Sequence, residues 1–462
     1  MHRGSSAGIT VLVLLVCSTA MAATYVVDAD GGGDATTLLG GMTLAASGDT
    51  VVVAPGTYSG TANREIDFTG RDIHLTSQNG PSVTIIDCES AGRALTLAAG
   101  EGPGAVITGL TVRNGHDDAL GGAVLCDGSS PMIRNCVFEN CTAWDGGSQG
   151  QGGAIYCSES AAMVEDCVFE GNTAREGACI YFADSPALAR RCRFLGNTAL
   201  RGGGGVRILR VGTTIEDCTF VANTAPTYGG GVFCCYSAPM ITGCTFVRNA
   251  ASEGGAIYGY DASPVITDCI LAFSTEGSAV SCPGASAFEI SYSCLFGNAG
   301  GDDLCGTGHD NVFLDPALCD TTAGTFSLQD CSPCAGAGSD GGHIGAHGVA
   351  CVCGDPTGVT ADTPAGGETA VDTSPMSISP NPTGAGVSIV LGDAGSSEVL
   401  SLGIYTIGGR RVRDLSSGAR AESRKVLWNG NDDSGRRVAA GVYLVRLDME
   451  SHRHTTKLVV IR

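Results

Sequence analysis

Between Thr50 and Ala346 apolar and polar residues alternate in short runs of period two, with Gly and Asn between the runs and no helical spacing. One pattern recurs: Cys, any residue, Phe, then Asn two or three residues on. It reads Cys136-Val137-Phe138 with Asn140, Cys167-Val168-Phe169 with Asn172, and Cys192-Arg193-Phe194 with Asn197. Cys218-Thr219-Phe220 with Asn223 and Cys244-Thr245-Phe246 with Asn249 follow. Cys269-Ile270-Leu271 is a decayed copy, Cys294-Leu295-Phe296 with Asn298 the last, and Leu110-Thr111-Val112 with Asn114 an apolar version one period earlier. The cysteine spacings are 31, 25, 26, 26, 25 and 25. A second element recurs between copies, as in Gly122-Ala123-Val124, Gly153-Ala154-Ile155, Gly204-Gly205-Val206, Gly230-Gly231-Val232 and Gly255-Ala256-Ile257.

A fixed period in this range predicts a solenoid. Several three- to five-residue strands per turn predict a parallel β-helix of roughly a dozen coils, stacked about 4.8 Å apart. Like residues then lie above like residues, and Asn and Gly take the left-handed corners. A solenoid needs a cap on its exposed apolar end, and Leu38 to Ala46 predicts a short capping helix.

Composition narrows the class. The chain has 462 residues, 70 Gly, 22 Cys, only two Lys and a net charge of −21. Gly has no three-residue period, which excludes collagen. An acidic chain almost without Lys is a poor nucleic-acid binder. Residues 1–22 carry a secretory leader pattern: His2 and Arg3, the apolar run Ile9 to Val16, then Ala20-Met21-Ala22. The run is too short to span a membrane, and no later stretch reaches a span. The expected location is extracellular or cell-surface, where disulfides form. From Thr24 to Pro375 the net charge is −26; from Met376 onward it is +4. This asymmetry predicts a solenoid over 23–353, a flexible linker over 354–375 and a separate module over 376–462. The module alternates in runs such as Val387 to Leu391, Leu400 to Tyr405, Lys425 to Trp428 and Val442 to Leu447, which predict a small β-sandwich with Trp428 in its core.

The run Gly48 to Tyr58 resembles the first coil of pectate-lyase-like β-helix proteins. The Gly-Gly-Ala-Ile and Phe-x-x-Asn elements resemble the repeats of polymorphic outer-membrane proteins and related bacterial right-handed β-helices. This resemblance covers about Tyr25 to Cys353 and implies a right-handed coil. The module, through Ser379-Pro380-Asn381-Pro382, Gly408-Gly409-Arg410, Trp428 to Arg436 and Ala440-Gly441-Val442-Tyr443, resembles two families. They are the immunoglobulin-like domain of flagellar hook-capping proteins and the carboxyl-terminal sorting domains of type IX secretion. The resemblance implies a sorting or accessory role, with secretion machinery as a partner.

The cysteines divide into two sets. The seven in the Cys-x-Phe motif stack, and a second inward row reads Cys126, Cys157, Phe182, Ile208, Cys234, Gly259 and Cys282. A row that accepts Leu, Phe or Ile treats free Cys as a small apolar filler. The alternative, a stack of disulfides, suits parallel in-register neighbours poorly. Cys305, Cys319, Cys331, Cys334, Cys351 and Cys353 fall outside the period and are the disulfide candidates; a zinc site with His343 or His347 is the weaker alternative.

The resemblance implies that a β-helix lyase would need an acidic calcium cluster with a Lys or Arg base, and a β-helix pectinase several Asp with His and Arg. The solenoid has no Lys. One edge gathers the candidates. His116, Asp117 and Asp118 follow Asn114, and are the candidate acid–base residues. One coil on, Trp144 and Asp145 occupy a six-residue insertion, and Arg175 and Tyr228 follow along the same edge as candidate sugar contacts, with Glu176, Arg201 and Glu253 nearby. The plain alternative is a set of solvated turn residues. Gly308-His309-Asp310 is a further His–Asp pair, and the Asp302-Asp303 turn is the place where calcium would bind, no other cofactor or metal being expected. These features predict a secreted or surface scaffold or adhesin that contacts carbohydrate. The alternative is a polysaccharide lyase or glycoside hydrolase.

Overall fold

The computed structural model describes residues 21–319, 326–352, 376–379, 387–391, 399–406, 410–416, 425–439, 441–449 and 453–460. The apolar run of the leader, Cys353 and the linker 354–375 lie outside the described residues. Two compact units divide at residue 360.

The first unit is an all-β, right-handed parallel solenoid. Sheet 1 has eleven strands, from Thr24–Val27 and Thr50–Val53 to Glu289–Ser291. Sheet 2 has ten, from Gly56–Tyr58 to Cys294–Phe296, and sheet 3 has nine, from Ile66–Asp67 to Val280–Ser281. A fourth sheet of four short strands, His116–Asp117, Thr142–Ala143, Thr173–Glu176 and Thr198–Gly202, lies along the edge between sheets 2 and 3. The helix Leu38–Leu44 closes the first coil, with Leu38 and Met42 buried and Thr37 accepting the Gly40 N–H as its N-cap. Each strand places alternate residues inside. Phe138, Phe169, Phe194, Phe220 and Phe246 are fully buried and stack with centroids 5.0, 5.0, 4.4 and 4.5 Å apart. Each such ring contributes roughly 1.5–3 kcal/mol of burial.

The recurring Asn has two different roles. Asn114 and Asn140 sit at φ 53°, in the expected left-handed corner. Asn172, Asn197, Asn223 and Asn249 stand one residue further on and are buried inside the solenoid. There each Asn Oδ1 accepts from the backbone N–H of the coil before. Asn197, Asn223 and Asn249 also receive that coil's Asn Nδ2, at 3.0, 2.8 and 3.0 Å. Each Nδ2 also donates to a Phe carbonyl, as Asn223 does to Phe194 O at 2.8 Å. The ladder ends on Asn298, whose Nδ2 donates to Asp302 at 2.6 Å.

The inner cysteines are free and buried, and they do more than fill space. The Sγ of Cys218, Cys244 and Cys269 each accepts the N–H of the Cys one coil earlier at 3.4 Å, and each thiol donates to a carbonyl of its own turn. Burial raises the thiols of Cys141 and Cys234 to about 12, so they stay protonated, and Cys141 donates to Glu139 O at 3.4 Å. Cys294 departs from the expected ladder. Ser293 fills the ladder position, its hydroxyl accepting Cys269 N–H at 3.1 Å. Cys294 pairs with Ile270 and belongs to an outer cluster with Cys334, Leu328 and Ile344. The last coil is one residue short, and a one-residue slip turns a side chain to the opposite face.

Coil pairing ends at Thr307 and Val312. Segment 326–351 then folds back over the outer face of sheet 2. Asp268 accepts Ser339 N–H at 2.7 Å, Thr245 Oγ1 accepts Ala346 N–H at 2.9 Å, and His347 Nε2 lies 2.8 Å from Thr219 Oγ1. Disulfides join Cys319 to Cys351 and Cys305 to Cys282, and Cys331 is also disulfide-bonded. Cys282 is therefore a staple and not the inner filler expected of it. Cys334 is the reverse: a free, buried thiol enclosed by the apolar cluster.

His347 gives this returning segment a pH dependence. Burial, with Arg193 and His343 nearby, holds its pKa below 6.5. A depressed folded value means that its contribution is complete above pH 6.5 and is lost as pH falls through the folded value. Amide protection of residues 326–351 is expected to drop between about pH 7 and about pH 5, after correction for intrinsic exchange. The substitution His347→Gln is expected to flatten the drop; an unchanged pH profile in that variant would remove His347 as the cause.

The second unit contains a three-stranded sheet (Met376–Ser379, Val387–Leu391, Lys425–Trp428) and a four-stranded sheet (Arg411–Asp414, Val399–Thr406, Gly441–Met449, Arg453–Val460), both antiparallel. They share a core of Ile389, Ile404, Trp428, Val445 and Leu458. Trp428 is buried, and its Nε1–H donates to Asn431 O at 2.8 Å.

Candidate functional site

The fourth sheet builds the edge on which the candidates lie. His116 pairs in register with Thr142 and Asp117 with Ala143, and those pair onward with Thr173 and Ala174. Trp144 continues this ladder, its N–H donating to Asp117 O at 3.0 Å. The insertion after it turns on itself: Asp145 Oδ1 accepts Gly147 N–H at 2.6 Å, and Trp144 Nε1–H donates to Gly147 O at 3.0 Å. The indole is half-buried and held in place, and Asp145 is exposed.

The three neighbours of the His116 turn behave differently. Asp117 is ion-paired to Arg93, a guanidinium with 11% side-chain exposure, and accepts Ala119 and Leu120 N–H at 2.9 and 2.8 Å. Burial opposes its ionisation, but those N–H groups and Arg93 outweigh it and hold its pKa below the usual carboxylate value. A carboxylate so fixed stays ionised at neutral pH and is no proton donor there. Asp118 is exposed and lies 3.3 Å from His116 Nε2.

The structure thus brings His116, Asp117, Asp118, Trp144 and Asp145 onto adjacent coils. Arg175 is half-buried one coil further, against the backbone of Gly150. Tyr228 is separated from them. It falls in another column, with Gly202 before it and Glu253 after it, about three coils or roughly 14 Å from Trp144. Its ring packs on Tyr258 at 4.6 Å and Phe233 at 5.4 Å. His309 and Asp310 form an exposed pair at 2.9 Å, apart from the edge. Among the described residues no group of three or more His, Cys, Asp or Glu could hold a metal ion. Asp302 is taken up by the end of the Asn ladder and His347 by Thr219.

A buried charge cluster adjoins the edge. Glu176, with 6% side-chain exposure, accepts from Arg201 at 2.5 Å and from Arg207 at 3.4 Å. Arg207 is also buried, with its guanidinium 3.6 Å over the Phe233 ring and 5.9 Å from that of Tyr181. Arg207 was not among the sequence candidates. Its signal was a charge in a row whose neighbouring coils read Leu125, Tyr156 and Tyr181 before it and Phe233 and Tyr258 after it.

Right-handed β-helix regions match over residues 41–199 and 153–315, more than half the chain. The chain belongs to the right-handed β-helix family. Two solved structures resemble it, a pectin methylesterase bound to a hexasaccharide and a mutant of pectin methylesterase bound to another. Each is 12% identical and covers 62% of this chain and 82% of its own, with TM-scores of 0.25 and 0.23. Likenesses of that size carry no argument about its chemistry. No curated protein matches the chain.

Proposed function

We propose that this protein is an exported solenoid scaffold whose edge, from His116 to Asp145, contacts carbohydrate on or near a cell surface, and whose terminal module serves sorting or surface retention. The reading rests above all on how the edge uses its charges. The inward carboxylates Asp117 and Glu176 are consumed by bonds between coils, which stiffen the wall. The side chains left toward solvent are a fixed half-buried indole, His116, Asp118 and Asp145, a set suited to stacking and hydrogen bonding. The leader pattern and the basic C-terminal module support export and retention.

The test is retention of the full chain on a panel of immobilised polysaccharides. Trp144→Ala is expected to weaken capture on its best ligand about tenfold, a loss of about 1.4 kcal/mol. Unchanged capture would sink the edge as the contact. The same preparations are assayed for released reducing or unsaturated ends. Release that disappears in a His116→Ala/Asp118→Ala variant would replace the scaffold with the lyase or hydrolase reading. Asp117 is unsuitable for this purpose, because its loss unpairs the buried Arg93.

A further inference from the structure

Two free thiols stand apart from the ladder, at the end of the solenoid. Cys294 lies on the outer face of sheet 2 in the last coil, and Cys334 belongs to the returning segment packed over it. Both are fully buried, in one cluster with Ile270, Leu328 and Ile344. One short stretch of chain holds both. Cys294 Sγ lies 3.3 Å from Leu314 O. Cys334 N–H donates to Ser332 Oγ at 3.1 Å, and that hydroxyl donates to Pro316 O at 2.6 Å. Cys334 O accepts Ile344 N–H at 3.0 Å. With both backbones so placed, the two thiols hydrogen-bond to each other.

This contact differs in kind from those inside the solenoid. Cys126 and Cys157 also meet, but as in-register neighbours on parallel strands, whose Cβ bonds run side by side. Cys294 and Cys334 come from facing elements, about 40 residues apart in sequence, an arrangement that suits a disulfide. The pair is also asymmetric. With Cys294 as donor, their hydrogen bond holds Cys334 below the ordinary thiol value and raises Cys294. The more acidic thiol is the readier nucleophile.

We propose that Cys294 and Cys334 form an exchangeable disulfide that latches the returning segment 326–351 onto the last coil. The oxidant is a low-molecular-weight disulfide. The Cys334 thiolate attacks one of its sulfurs and expels a thiolate, leaving a mixed disulfide on Cys334. The Cys294 sulfur then attacks the Cys334 sulfur and expels the second thiolate. Two protein thiols give up two electrons, one small disulfide becomes two thiols, and the two thiol protons end on the leaving groups. Burial of both sulfurs confines exchange to moments when the segment lifts, and the bond once made prevents lifting. The latch stands on this pair alone and is independent of the carbohydrate edge.

Incubation of the full chain with glutathione disulfide at about pH 8 tests it, followed by denaturation, alkylation and cleavage before aspartate without reduction. Mass spectrometry is expected to find peptide 268–301 joined to peptide 330–339. Cys294→Ala and Cys334→Ala are each expected to abolish the junction. Cys269→Ala and Cys331→Ala, on the same two peptides, are expected to leave it. Oxidation is expected to slow amide exchange across 326–351 at least tenfold in the parent and to leave it unchanged in either variant of the pair. Before oxidation the parent and both variants are expected to exchange alike, so the difference is not a loss of fold. Alkylation of Cys294 and Cys334 after this treatment, glutathione retained on Cys334 alone, or a junction that survives Cys294→Ala overturns the disulfide. A junction without slower exchange overturns the latch.

Discussion

Replacing Asn223 by leucine is expected to destabilise the solenoid by about 4 kcal/mol, on the order of several buried polar groups losing partners at about 1–3 kcal/mol each. The side chains are nearly the same size, so no large cavity enters the sum. What is lost is specific. The backbone N–H and Nδ2 of Asn197 lose their acceptor, Phe194 O loses its donor, and Asn249 Oδ1 loses one of two. None of these groups reaches water, since Asn197, Asn223 and Asn249 are fully buried. The matched control is Asn140→Gly. Asn140 occupies the corner at φ 53°, where glycine has the least strain, so a change within about 0.5 kcal/mol is expected. Urea unfolding, with amide exchange at residues 197 and 223, measures both. A loss below about 1 kcal/mol for Asn223→Leu would show that neighbouring coils re-pair without the ladder.

Substituting Glu176 by glutamine has the next largest expected effect, about 3–5 kcal/mol. The variant keeps the shape but leaves Arg207 charged, buried and without a counter-ion, while Arg201, half exposed, turns to solvent. Its stacking on Phe233 offsets a part, about 2 kcal/mol for a desolvated cation over a ring. The double variant Glu176→Leu/Arg207→Leu is expected to recover most of the loss, because breaking a buried pair costs more than replacing it. Arg210→Ala, which breaks the exposed pair with Asp184, is expected to cost at most about 1 kcal/mol. A Glu176→Gln variant as stable as Arg210→Ala would mean that Arg207 reaches water.

Much of this fold was legible from the 25-residue period. The period identified the solenoid and the inward Phe row, and the alternating runs after Met376 identified the small β module, because each depends on alternation that survives in one dimension. The period failed where its own regularity was broken. Cys294-Leu295-Phe296 matches the motif, yet the coil before it is short, and Ser293 stands where the ladder needs a hydrogen-bonding side chain. The Cys residues looked like apolar filler because their neighbours in the row are Leu and Phe. Their second role, closing the backbone bond between turns, appears only when coils are stacked.

The candidate edge was legible as a neighbourhood and not as a set of bonds. Sequence order placed His116, Asp117 and Trp144 one coil apart, since the repeat makes position predictable. It could not pair Asp117 with Arg93, which enters from the start of a sheet 3 strand in the coil before. Nor could it set Tyr228 apart from Trp144, because column membership depends on the register of the short fourth sheet and its isolated bridges.

The sequence alone determined the repeat, the faces of its strands and the charge division between solenoid and terminal module, since these follow from local alternation and composition. Tertiary structure decided which Asn is corner and which is ladder, which cysteines are staples and which charges are spent inside the wall. Those outcomes rest on hydrogen bonds and ion pairs between coils, whose partners are fixed only once register brings residues about 25 apart within 3 Å of one another.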